Sequence, residues 1–291
     1  MRLITYQSDS GPRLGVVRGR RSPSGDNDVF PVPDLDMLTL IESGEAGLAR
    51  ARAASGLSVP LASVTLLAPI PAPRRNVLCL GLNYAAHAAE SQRAKGQPVK
   101  LPEVPLFFTK ATTAVNGPFA DIPFDASVSE QIDWEVELAV VIGKQGKNIA
   151  RANAMEYVFG YTVINDVSAR DVQNAHGGQF FKGKSLDGAC PMGPWIVTRD
   201  EVPDPHALPL RCRVNGVTKQ DSTTADFIFD IPAMIDWLSR GMTLLPGDVI
   251  STGTPSGVGF ARTPPEFLKP GDVVECEVEG IGMIRNRVVG V

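Results

Sequence analysis

Hydrophobic residues in this chain gather in short runs broken by turn residues. Residues 2–7 and 13–18 are apolar stretches on either side of Ser8-Asp9-Ser10-Gly11-Pro12, which predicts a β-hairpin at the start. Over residues 35–54, Leu35, Leu38, Ile41 and Leu48 recur at roughly helical spacing, which predicts a helix. Ala68-Pro69-Ile70-Pro71-Ala72-Pro73 then interrupts regular structure and reads as a linker. Beyond it, strand-like runs fall at 106–108, 134–142, 157–164, 195–198, 211–214, 249–252 and 273–278, with helical stretches near 84–94 and 231–240. Strands and helices do not alternate regularly, so a Rossmann or barrel architecture is disfavoured. The pattern predicts a mainly β, α+β chain. A small N-terminal α+β unit over 1–70 precedes a mixed, largely antiparallel β domain with peripheral helices over 71–291.

Composition narrows the partners. The 291 residues carry 28 basic and 32 acidic side chains, a formal charge of −4 without a long basic run, so a nucleic-acid binder is not expected. No run of 18 apolar residues exists, which argues against a membrane-spanning helix. The first nine residues lack an apolar signal core, so a cytoplasmic location is expected. Four cysteines, Cys79, Cys190, Cys212 and Cys276, are widely spaced and read as reduced thiols rather than a zinc cluster.

Candidate chemistry concentrates in four places. In Asp133-Trp134-Glu135-Val136-Glu137-Leu138, the two-residue period of a strand puts the three acids on one face. Either water solvates that strand end, or a divalent cation neutralises it. A second apolar run over 157–164 ends in Asn165-Asp166, and three carboxylates at the ends of two buried strands would form a hard, all-oxygen site suited to Mg²⁺ or Mn²⁺. His87 and Glu90 are three apart on the expected helix, where a carboxylate can orient and activate an imidazole; a casual surface pair is the bland alternative. The polar, glycine-bearing stretch from Asp166 to Pro194 suits a mobile loop or lid. Gly253-Thr254-Pro255-Ser256-Gly257-Val258-Gly259 lacks the Lys-Ser/Thr of a phosphate loop and reads as a tight turn whose N–H groups could hold a carboxylate or oxyanion.

Taken together, these blocks resemble the fumarylacetoacetate hydrolase family. The resemblance runs from about Pro73 to the C-terminus. It rests on Gly81-Leu82-Asn83-Tyr84-x-x-His87-x-x-Glu90, Trp134-Glu135-x-Glu137-Leu138, Asn165-Asp166-x-Ser168-Ala169-Arg170-Asp171-x-Gln173, Lys184-Ser185-x-Asp187, Pro191-Met192-Gly193-Pro194, Val214-Asn215-Gly216 and Pro246-Gly247-Asp248 through Gly259. It implies a mixed β-roll catalytic domain, usually dimerised, and a 2-oxo acid substrate. By the resemblance, Glu135, Glu137 and Asp166 would hold Mg²⁺ or Mn²⁺, His87 and Glu90 would activate water, and Lys184 would stabilise negative charge. Arg93, Gln173 and Thr254 would contact substrate. Leu80 stands where fumarylacetoacetases proper carry a metal-binding aspartate, so the chain is similar to the shorter, bacterial-type branch. The implied activity is hydrolysis of a C–C bond in an acylpyruvate-type 2,4-dioxo acid, as in the breakdown of aromatic compounds. Decarboxylation of an oxaloacetate-like acid or isomerisation of a 2-hydroxydienoate on the same site is the alternative, and non-catalytic binding of a small oxo acid is a further one.

Overall fold

Alternating and continuous apolar runs pair into two main sheets in the computed structural model, which describes residues 1–19 and 27–291. The longer sheet runs, along its main path, through strands Val59–Pro60, Asn27–Pro31, Gly11–Gly19, Arg2–Ser8, Cys190–Thr198, Val158–Asn165, Val136–Ile142, Val249–Ser251, Val77–Gly81 and Leu106–Lys110. Most neighbours are antiparallel, but Val249–Ser251 runs parallel to Val77–Gly81. The second sheet orders Val217–Thr223, Pro209–Val214, Val273–Val278, Gly282–Gly290 and Ile122–Phe124.

The central strand Val136–Ile142 is buried along its whole length, as the continuous apolar run over residues 138–142 requires. Val136, Leu138, Val140 and Ile142 enter a core shared with Cys212, Val274 and Ile284 of the second sheet. Ala139 and Val141, on the other face, pack in a core with Leu3, Leu14, Leu40 and Ile41. The N-terminal hairpin is therefore part of the packing. Its first strand extends the long sheet directly, with Arg2 opposite Val197 and Leu3 opposite Ile196.

Three local expectations are corrected. The helix expected over 35–54 is two shorter helices, Met37–Glu42 and Gly44–Ala53. Asp36 caps the first by accepting the Thr39 N–H at 2.7 Å, and Gly44 begins the second in a left-handed conformation (φ 53) that breaks the helical path. Asp133, Glu135 and Glu137 do not lie on one continuous strand. Ile132–Asp133 pairs with Ser168–Ala169 in a separate small ladder, and Trp134 and Glu135 bridge to the main strand. Finally, the stretch from Asp166 to Pro194 is not one loop. It folds into helices Arg170–Ala175 and Phe181–Lys184, and Cys190–Pro194 opens a fully buried strand; residues 174–179, 181, 182 and 187 are exposed.

Candidate metal centre and active site

The main sheet carries the acids to one point. Glu137 projects from the buried central strand, and Asp166 follows the neighbouring strand Val158–Asn165. Glu135 is held beside them by two main-chain bonds. Its N–H donates to Asn165 Oδ1 at 3.0 Å, and its carbonyl accepts the Asp166 N–H at 2.8 Å. One carboxylate oxygen from each of Glu135, Glu137 and Asp166 lies within 4.8 Å of the others, and all three residues are buried.

Three like charges this close need compensation. Lys184 Nζ donates to Glu135 Oε2 at 2.7 Å and to Asp166 Oδ2 at 2.8 Å. Arg170 bridges Glu135 Oε1 at 2.6 Å and Asp133 Oδ2 at 2.8 Å. Lys110, fully buried, donates to Asp166 Oδ1 at 2.6 Å and to the Val167 carbonyl at 3.0 Å. Burial opposes ionisation of Glu135, yet Lys184, Arg170 and His87 hold its pKa well below the carboxylate range. Burial likewise opposes the Lys184 ammonium, and Asp166 and Glu135 outweigh it and raise its pKa. Glu137 is the exception. Burial, then Asp166 and Glu135, push its pKa well up. Its Oε2 accepts from the Ser251 hydroxyl and the Gly253 N–H, while Oε1 makes no hydrogen bond to the described residues.

A hard cation fits this arrangement. The donors are all carboxylate oxygens, one of them is open, and the trio could hold a metal ion.

The second component is the helix Ala85–Ala94. The Asn83 side chain fixes its entry by donating to the carbonyls of Thr252 at 2.8 Å and Phe229 at 3.1 Å and accepting the Phe229 N–H at 2.8 Å. His87 Nδ1 lies 3.0 Å from Glu90 Oε1, and both oxygens of Glu90 accept the Gly257 N–H at 2.9–3.0 Å. The glycine turn thus grips protein carboxylates. Gly253 N–H holds Glu137, Gly257 N–H holds Glu90, and Gly259 N–H holds Asp133 at 2.6 Å. Gly257 has φ +106, and a Cβ there would stand 2.1 Å from the Lys219 carbonyl oxygen, so only glycine suits this grip.

Some of these groups border a cavity of about 120 Å³, small against the roughly 300–1,000 Å³ of typical ligand pockets. His87, Glu135, Gln173, Lys184 and Thr254 line it. The Thr254 hydroxyl is already engaged, donating to the Val136 carbonyl and accepting from Gln220. Gln173 Oε1 accepts from Arg170 at 3.1 Å, leaving its amide donors free. Arg93 is exposed and outside the lining, because six residues from His87 turn it away from the face that His87 presents. Sequence reasoning passed over Lys110. Its signal was a charged residue closing the apolar run Leu106-Phe107-Phe108-Thr109, which reads equally well as a solvated strand end.

Comparison with known proteins identifies the family. The family model described as fumarylacetoacetate (FAA) hydrolase C-terminal matches residues 76–289. The chain is 45% identical over 296 residues to the mitochondrial oxaloacetate tautomerase FAHD2A of Bos taurus, covering 99% of this chain and 92% of that protein. Among solved structures it is similar to a fumarylacetoacetate hydrolase from Exiguobacterium antarcticum, with a TM-score of 0.81, 39% identity and 100% of each chain covered. It is also similar to a maleylpyruvate hydrolase from Sphingobium sp. SYK-6, whose structure holds manganese(II) and pyruvate, with a TM-score of 0.79, 32% identity and coverage of 100% and 99%. No helix among the described residues is long and apolar enough to cross a membrane. The chain belongs to the fumarylacetoacetate hydrolase family.

Proposed function

We propose that this protein is a Mg²⁺- or Mn²⁺-dependent tautomerase of an oxaloacetate-type 2-oxo acid. The observation that carries the reading is His87, paired with Glu90, which lines together with Glu135 and Lys184 a cavity sized for a small acid. The 45% identity to an oxaloacetate tautomerase supports it.

Glu90 engages Nδ1 of His87, which leaves Nε2 to move a proton. Nε2 takes the proton from the carbon beside the oxo group. The C–H electron pair becomes the C=C bond, and negative charge develops on the oxo oxygen. Return of the same proton to that oxygen gives the enol, and the reverse sequence gives the keto acid. No water is consumed. Lys184, fixed between Glu135 and Asp166, holds positive charge beside the reacting end. A divalent cation held by Glu135, Glu137 and Asp166 would supply Lewis-acid stabilisation of the developing charge. General acid–base help of this kind contributes about 10²–10⁴ in rate.

Hydrolysis of an acylpyruvate is the second reading, because the same dyad suits deprotonation of a water. It asks the small cavity to hold a longer acid and a water together. Ultraviolet absorbance of the enol, followed alongside pyruvate release, separates the possibilities. With Mn²⁺ the protein is expected to speed loss of the oxaloacetate enol without matching pyruvate release. Pyruvate release at the same pace would mean decarboxylation. Cleavage of acylpyruvates with unaltered oxaloacetate tautomerisation would overturn the proposal in favour of hydrolysis.

A further inference from the structure

The helix that carries the proposed base has a second functional face position. His87, Ser91 and Lys95 are spaced four residues apart, and all three line the cavity. That spacing stacks them on one face, with Lys95 about 12 Å along the axis from His87. Lys95 is the residue that caps the C-terminus of this helix, one position past Ala94, and it lines the same cavity as His87.

The charges around the cavity are uneven. Glu135 is the one carboxylate among the described lining residues, and both its oxygens are taken by Arg170 and Lys184. Arg170 and Lys184 are thereby paired. Lys95 is an exposed residue of the lining whose side-chain cation makes no hydrogen bond or ion pair to the described residues. It also sits close enough to Arg170 for the two charges to oppose each other; burial and then Arg170 lower its pKa. Nearby, the buried Ser91 hydroxyl has no hydrogen-bond partner among the described residues, and the Gln173 amide donors are free. The lining therefore offers free donors and one unpaired side-chain cation, while its single carboxylate, Glu135, is already paired.

We propose that Lys95 is a specificity-determining residue that binds the second carboxylate of a dicarboxylic 2-oxo acid, with Ser91 and Gln173 completing the contact. This rests on the reading of His87 as the base at the reacting end, and it adds what recognises the far end of the substrate. The pairing is a charge-assisted hydrogen bond, and it separates a four-carbon diacid from its three-carbon monoacid counterpart.

The test compares malate with lactate, which differ by that carboxylate and report binding without turnover. Binding to the Mn²⁺-loaded full chain is measured by calorimetry. The wild type is expected to prefer malate. Lys95→Gln is expected to weaken malate by about ten-fold or more while leaving lactate unchanged, and Lys95→Arg to retain most of the preference. Lys100→Gln, an exposed lysine paired with Glu103, is the control and should behave as wild type. In turnover of oxaloacetate, Lys95→Gln should raise KM with kcat little changed. Equal weakening of malate and lactate, or a wild type that does not discriminate between them, overturns the assignment. If the wild type prefers malate through Lys95 but does not tautomerise oxaloacetate, the proposed reaction fails and the carboxylate site stands.

Discussion

Replacing Lys110 by Met tests how the acid cluster is balanced. The Lys110 ammonium is fully buried, 2.6 Å from Asp166 Oδ1 and 3.0 Å from the Val167 carbonyl. Methionine keeps most of the side-chain volume and removes the charge. Asp166 then keeps Lys184, which it already shares with Glu135. Breaking one partner out of a buried ion pair costs about 3–5 kcal/mol. At about 2–4 °C per kcal/mol for a large single domain, the metal-free variant should melt roughly 6–20 °C below wild type. Mn²⁺ supplies positive charge to the same carboxylates, and a ligand that binds only the folded state stabilises it. Saturating Mn²⁺ should therefore raise the Tm of the variant by more than it raises that of wild type. The assay is thermal unfolding in chelator and in excess Mn²⁺. A variant that melts within about 2 °C of wild type in chelator would refute the balance described here. So would an identical Mn²⁺ shift in both proteins.

His87→Ala should lower kcat by about 10²–10⁴ and leave Mn²⁺ affinity nearly intact, checked by steady-state kinetics and calorimetry on the same preparation. Metal affinity should fall as pH falls. Burial, Asp166 and Glu135 raise the pKa of Glu137, so the proton persists there at a pH where an ordinary carboxyl has lost it, and the ion must displace it. Affinity should climb with pH up to that raised pKa and then level off. Proton release, read from binding heats in buffers of different ionisation enthalpy, checks this; heats independent of the buffer would contradict it.

Much of the site was legible because its chemistry is local in sequence. Two apolar strands ending in acids, and a His–Glu pair at helical spacing, each carry their own signal in a few residues. The continuous apolar run before and after Val140 marked a strand buried on both faces, and it is. What escaped depends on contacts between distant parts of the chain. Arg2–Ser8 pairs with Cys190–Thr198, and nothing in either segment names the other. Asp133 shares the alternation of Glu135 and Glu137, yet its carboxylate accepts the Trp134, Gly259 and Phe260 N–H groups and turns the chain out of the strand. The Pro191–Pro194 segment has turn composition but lies in a buried strand, where neighbouring strands cover it on both sides. Lys110 and Arg170 look like surface cations until the acids they neutralise are placed beside them.

The central claim is that Glu135, Glu137 and Asp166 form one cation site beside His87. Calorimetric titration of metal-stripped protein with Mn²⁺ tests it most directly, using wild type and the shape-conserving variants Glu135→Gln, Glu137→Gln and Asp166→Asn. Residues that merely support a metal ligand cost about 10–100-fold in affinity when removed, so each direct ligand should cost at least about 100-fold. Wild type is expected to bind one ion per chain, and all three variants to lose it to that extent. Wild-type affinity retained in any folded variant would contradict the shared site.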